Sequence, residues 1–323
     1  MDNLEQLYDG AYLVHCAVGG RPLHLPLLVG PARAVLIDTG CAADCAGAIL
    51  PALRALQIDP AQLTHVINTH CDFDHQGGNS AIMAACPAAR LYCGEADRVQ
   101  VESPDRLIAL RYSAYLRDHG IFYDDATRQA IRRELGEPLS VDGVFRGGEV
   151  LSLAVDRELE ILHLPGHTRG HLGILDRKHH TLFGGDAIHG KGYLDFAGKP
   201  ALCPTYLYVQ PYLETIHHIG QLPLDAYVGC HWSVKRGADI SAFCNESRTF
   251  VENAERLILD HLRTQQQGST LRELCLQVGP QLGDWPAAMN IELCYAFAGH
   301  LADLTSRNVI SETRSPGPFT YSA

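Results

Sequence analysis

The segment "NTHCDFDHQGGN", residues 68–79, places two histidines and two aspartates within six positions: His70, Asp72, Asp74 and His75. Imidazole nitrogen and carboxylate oxygen together suit zinc, iron or manganese. No cysteine stands at a ligand-like spacing, which argues against a structural zinc site. Taken alone the segment is modest evidence, with a hydrogen-bonded polar loop as the lesser reading, but three later residues change the weighting. His167 ends "LEILHLPGH", Asp186 ends "TLFGGD" and His231 ends "DAYVGCH". Each follows a β-like run and a glycine-bearing turn. If those runs are neighbouring strands, their ends define one edge and the polar groups converge there.

The elements that must position these residues are legible from their periodicity. "AYLVHCAV", "HLPLLVG" and "RAVLIDTG" read as successive short strands, and "LTHVINTH" as another that ends at His70. "CAADCAGAILPALRALQ" has helical spacing, interrupted at Pro51, and "GGNSAIMAAC" reads as a helix before the strand "RLYCG". From Glu95 to Arg146 charged, helix-favouring sequence predicts an inserted pair or trio of helices that caps the site. Strands resume with "EVLSLAV", "LEILHLPGH", "HLGILD" and "TLFGGD", followed by the helix "YVQPYLETIHHIGQL" and a last strand before His231. After Gly237 the pattern predicts a long helix with Asp239 or Ser241 as its N-cap, two more helices over 269–278 and 287–308, and a short hairpin over 309–322. The domains expected are therefore 1–237, with 95–146 as the helical insertion, and 238–323, a helical, winged-helix-like appendage.

Composition narrows the function. Apolar residues make up 46% and charged residues 20%, an ordinary globular balance, and no apolar run approaches the ~20 residues of a membrane helix. The first sixteen residues carry no basic, continuously apolar leader, which leads us to expect a cytoplasmic protein. Eleven cysteines without paired spacing suggest reduced, mostly buried thiols, Cys41 and Cys45 among them. A net charge of −11 disfavours nucleic acid and anionic membrane as partners and leaves a small-molecule substrate as the expectation. The appendage lacks a dense Lys/Arg face, so dimerisation or cleft covering fits it better than DNA binding.

The motifs "HCDFDH", "GHTRGH", "GGD" and "GCH", in this order, resemble the metallo-β-lactamase-fold superfamily over about residues 11–236, with "GHTRGH" beside "LFGGD" closest to its glyoxalase II-like and lactonase-like hydrolase branch. The resemblance implies an α/β fold, a four-layer αββα sandwich. It also implies two divalent metal ions: His70 and His167 on the first, with Asp72 where the family has histidine; Asp74, His75 and His231 on the second; Asp186 bridging. Asp38, in "IDTG", would support the site from behind. His171, His189, Lys191 and Tyr193 are further candidates for support or substrate binding, the last two because they closely follow Asp186.

The function this implies is a binuclear metallohydrolase that opens a lactone, ester, thioester or amide with a metal-bridging hydroxide, with Asp74 as the catalytic carboxylate. Asp72 is the departure from the pattern. A carboxylate there hardens the ligand set toward iron or manganese, and it resembles the HxExDH motif of di-iron members. Asp72 either ligates a displaced first metal directly, which we expect, or misses and leaves a site that is mononuclear or supplemented by water. A di-iron oxidoreductase or oxygenase is therefore the alternative; it would need a separate reductase, because the chain has no flavodoxin-like phosphate loop and no CxxC pair. A degenerate binding or regulatory protein is the third reading.

Overall fold

The computed structural model describes residues 3–121, 123–314 and 317–323. The first sheet holds β1 (Leu4–Tyr8), β2 (Ala11–Val18), β3 (Arg21–Val29), β4 (Ala34–Ile37), β5 (Leu63–Ile67), β6 (Arg90–Gly94) and β7 (Gly143–Phe145), in that spatial order. β1 to β4 are antiparallel neighbours, and β4 to β7 run parallel. The second sheet has β8 (Val150–Ala154), β9 (Arg157–His163), β10 (Leu172–Asp176) and β11 (Thr181–Gly185). A small hairpin, β12 (Tyr193–Leu194) and β13 (Pro200–Leu202), precedes β14 (Ala226–Gly229), which pairs parallel with β11, and β15 (Lys235–Arg236).

Period-two alternation decides which face each residue covers. In β4, Ala34 and Leu36 pack toward the helices, while Val35 and Ile37 face the other sheet. With both faces covered, the whole strand is apolar. Between the sheets, Leu13, Leu28, Val35, Ile37 and Ile67 meet Leu159, Ile161, Ile174, Phe183 and Val228. The helices Leu50–Ala55 and Asn79–Ala85 cover the outer face of the first sheet, and Val209–Gln221 that of the second. The result is the expected αββα sandwich.

The insertion is more broken than its periodicity predicted: helices Arg98–Glu102, Pro104–Leu107, Leu116–His119 and Asp125–Glu134, with a wide π turn over Ile108–Tyr112. A second π turn, Cys45–Ile49, precedes Pro51, whose ring and missing N–H spoil α-helical bonding to the preceding turn. All eleven cysteines are free and ten are buried.

The long C-terminal helix is Ala238–Thr264, with Ile240, Phe243, Phe250, Val251, Ala254 and Ile258 on its buried stripe. Gly237, at φ 51°, holds its N-cap position. This corrects the expected cap: Asp239 lies inside the first turn, where its charge faces the positive helix end, and Ser241 lies deeper in the helix. Leu271–Val278 is closed by a reciprocal Thr270–Glu273 capping box. The expected helix over 287–308 divides into a 3₁₀ stretch, Ala287–Leu293, and an α-helix, Cys294–Ser306. β16 (Ser269–Thr270), β17 (Ser311–Thr313) and β18 (Thr320–Ser322) form a small antiparallel sheet against these helices; residues 315 and 316 of the expected hairpin lie outside the described residues.

Candidate metal centre

The carboxyl ends of β4, β5, β9, β11 and β14 reach one edge of the sandwich and deliver Asp38, His70, His167, Asp186 and His231 to it. The sheets approach closely there: a Cβ on Gly185 would lie 2.8 Å from Thr69 Oγ1, and its φ of +54° suits glycine. The 70–75 segment is not wholly a loop. Asp72 stands at the N-cap position of a one-turn helix, Phe73–Gln76, that carries Asp74 and His75 inward.

Four donor residues form a compact cage. His75 Nε2 lies 3.3 Å from His231 Nε2, 3.8 Å from Asp186 Oδ1 and 4.0 Å from Asp74 Oδ1. His231 Nε2 is 3.5 Å from both Asp74 Oδ2 and Asp186 Oδ2. A tetrahedral ion with ~2.1 Å bonds needs donor separations of about 3.4 Å, so these residues fit a divalent cation. The outer nitrogens fix the tautomers. His75 Nδ1 donates to Asp38 Oδ2 at 2.8 Å, and His231 Nδ1 to the Pro22 carbonyl at 2.8 Å, so both Nε2 lone pairs face inward. Two facing lone pairs at this separation call for a positive charge between them. The local field agrees. Burial works against a charged His75, yet Asp38, Asp74 and Asp186 outweigh it and raise the imidazole's proton affinity well above the ordinary value.

Among the buried donors without a hydrogen-bond partner in the described residues are His70 Nε2 and Asp186 Oδ1. With His75 they form a further group of potential ligands, so His70 is within reach of the same cation. Its Nδ1 is held 3.0 Å from Thr69 Oγ1, and that hydroxyl donates to Asp38 Oδ2 at 2.7 Å. Asp38, at φ 60°, thus braces His75 directly and His70 through Thr69. Tyr193 donates its hydroxyl to Asp186 Oδ2 at 3.0 Å.

The first seat is built differently. Asp72 Oδ2 lies 3.0 Å from His167 Nε2 and 3.5 Å from His70 Nε2, near enough for all three to share an ion. A cation is already there. Arg111 Nη2 donates to Asp72 Oδ2 at 2.7 Å and lies 3.2 Å from His167 Nε2, while its Nε pairs with Asp72 Oδ1. Tyr112 adds its hydroxyl to Asp72 Oδ1 at 3.1 Å. Burial would raise the Asp72 carboxyl, but the Arg111 guanidinium beside it holds it well below the usual carboxylate range. Asp72 is therefore ion-paired to Arg111 while it also belongs, with His70 and His167, to a group of side chains that could hold an ion.

The remaining candidates divide. His171 accepts from the Asp186 backbone N–H at 3.1 Å and so orients that turn. His189 is buried behind Asp186 and His167, with Nδ1 on the Tyr212 hydroxyl at 3.0 Å. Lys191 is not brought to the centre. The turn between Gly190 and Gly192 carries it outward, and its exposed ammonium lies 3.7 Å from Glu246. Two contributors were missed: Arg111, and Asp97, whose carboxylate accepts from Thr168 Oγ1 at 2.5 Å and from the Gly170 N–H at 2.7 Å and so fixes the loop carrying His167. The sequence signal for Arg111 was the added negative charge at Asp72, which demands a buried cationic partner.

The sandwich thus gathers, at one strand edge, histidines and aspartates in groups that could hold metal ions. The chain belongs to the metallo-beta-lactamase superfamily, whose family model matches residues 26–231. It is similar to the acyl-coenzyme A thioesterase MBLAC2 of Gallus gallus, 28% identical over 189 residues, covering 55% of this chain and 61% of that protein. It is also similar to a hydroxyacylglutathione hydrolase of Synechococcus sp. (strain JA-3-3Ab), 27% identical over 182 residues, covering 56% of this chain and 53% of the relative. The chain thus spans little more than half the length of these curated relatives. Among solved structures, a metallo-beta-lactamase family protein of Thermus thermophilus superposes with a TM-score of 0.76 at 20% identity, covering 98% of this chain and 99% of that one. Because that superposition includes the C-terminal helices, the two proteins share the whole arrangement. Among the described residues no helix is long and apolar enough to cross a membrane.

Proposed function

We propose that the protein is a metal-dependent hydrolase of a small acyl compound, an ester, a thioester, a lactone or an amide, with thioesters favoured. The observation that carries this reading is the cage of Asp74, His75, Asp186 and His231, whose donor separations and inward lone pairs suit a divalent ion. Both curated relatives described above are named for cleaving acyl groups, and the names support the thioester preference. Three neutral imidazoles and two carboxylates, counting His70, are a donor set for zinc, iron or manganese. An ion held there would supply Lewis-acid chemistry, polarising a carbonyl and acidifying water.

The residues of the chain do the rest. A cavity of about 270 Å³ opens onto Asp74, Asp186 and His231. Tyr112, Tyr123 and Ile131 of the insertion wall it on one side, and Met289 and Tyr295 of the C-terminal region on the other. That size suits a short acyl group. Asp74, slightly exposed at the cavity floor, is placed to accept the proton of an attacking water, and Tyr193 keeps Asp186 aligned. Di-iron redox chemistry draws its motive from Asp72 as an iron ligand, and that carboxylate is engaged by Arg111.

The test is hydrolysis of a panel of acyl-coenzyme A thioesters, hydroxyacyl-glutathione and simple lactones by protein loaded separately with zinc, manganese or ferrous iron. Turnover that disappears in Asp74→Ala with unchanged circular dichroism supports the reading. Metal-loaded protein that cleaves none of these compounds overturns it.

A further inference from the structure

Arg111 comes from the π turn Ile108–Tyr112 of the insertion, 39 residues beyond Asp72, and its guanidinium is 6% exposed. Four of its five N–H groups have acceptors nearby. Nη2 donates to Asp72 Oδ2 while Nε stands against Asp72 Oδ1 as an ion-pair contact, the second Nη2 hydrogen faces His167 Nε2 at 3.2 Å, and Nη1 lies 3.4 Å from the His167 carbonyl oxygen. The Tyr295 ring flanks the guanidinium carbon at 5.3 Å. This is a built site for a planar cation.

Its position gives it meaning. His167 donates Nδ1–H to the Thr205 carbonyl at 3.1 Å, so its Nε2 presents a lone pair, and Arg111 can only donate. Arg111 therefore takes the coordination that an ion would take from His167 and from Asp72 together. The charges also compensate: Asp72 adds one negative charge where a neutral imidazole is usual in the resemblance, and Arg111 adds one positive charge beside it.

We propose that the Arg111 guanidinium is the resident cation of the first seat, so that this protein holds one metal ion per chain, in the cage of Asp74, His75, Asp186 and His231. This rests on the reading of that cage as a metal seat. Arg111 also lines the cavity beside Asp74 and Asp186, so its fixed charge faces whatever binds there. A second divalent ion would have to displace a hydrogen-bonded, buried guanidinium and strand it against like charge.

The experiment is metal stoichiometry on the full chain, by elemental analysis after equilibration with excess zinc and by electron paramagnetic resonance after loading with manganese. The wild type should hold one zinc and give the spectrum of isolated manganese. The double variant Asp72→His/Arg111→Ala should hold two zinc ions and give a spin-coupled manganese pair. Arg111→Met, close in volume, keeps the test readable if the double variant does not fold: it should lower the exclusion and raise zinc content above one. Two ions in the wild type, or one ion in both folded variants, would overturn the proposal while leaving the hydrolase reading intact. No bound ion in the wild type would overturn both.

Discussion

The two halves of the centre share an edge and histidines with braced outer nitrogens, yet they differ in what neutralises them. In the Asp74/His75/His231 half, carboxylates and lone pairs face one another across 3.3–4.0 Å with no side-chain cation from the described residues between them. In the His70/Asp72/His167 half, Arg111 fills that role. A negative ligand cluster needs a counter-charge, and a folded chain can take it from solution or supply it from its own sequence. The choice decides whether the site is loaded and emptied or permanently filled.

The largest effect should come from breaking the half that depends on solution. Asp186→Ala removes a carboxylate of the cage; bound metal should be lost, and hydrolysis should fall on the order of 10³-fold or more. Elemental analysis beside steady-state kinetics checks it; retained metal at full occupancy would remove Asp186 from the cage.

Asp72→Ala attacks the self-supplied half and should act on stability instead. It leaves Arg111 buried without its partner, at a cost of about 3–5 kcal/mol in denaturant unfolding, while metal content stays as in the wild type. A variant as stable as the parent that has lost metal would reverse the assignment of the two halves.

Asp38→Asn probes the bracing. The amide is a poorer acceptor for His75 Nδ1–H and Thr69, so affinity for zinc should weaken by about 10- to 100-fold, measured by competition with a chelating dye. An unchanged affinity would mean that Asp38 serves only the turn after β4. Smallest of all, Tyr193→Phe removes one hydroxyl from Asp186 and should cost about 1 kcal/mol in stability, with a few-fold change at most in metal affinity.

Much of this was legible without coordinates. His70, Asp74, His75, His167, Asp186 and His231 were chosen by type, order and position after β-like runs, and the structure gathers all six at one edge because parallel strands send their carboxyl ends the same way. Lys191 shows the limit of proximity in sequence: five residues after Asp186, it is turned away by a glycine-flanked bend. Asp97 and Arg111 show the opposite limit, since each reaches its partner from a segment whose helical pattern describes a cap and names no contact. The insertion's π turn, which aims Arg111, has no periodicity signal of its own.

By itself the amino-acid sequence marked the strands and the histidines and aspartates at their ends, because alternation and turn chemistry are local; the αββα layering was implied by the resemblance to a known family. Only the tertiary structure placed Arg111 beside Asp72. A carboxylate at that position is compatible with a metal ion or with an arginine, and the choice depends on which cation the folded insertion brings within hydrogen-bonding distance.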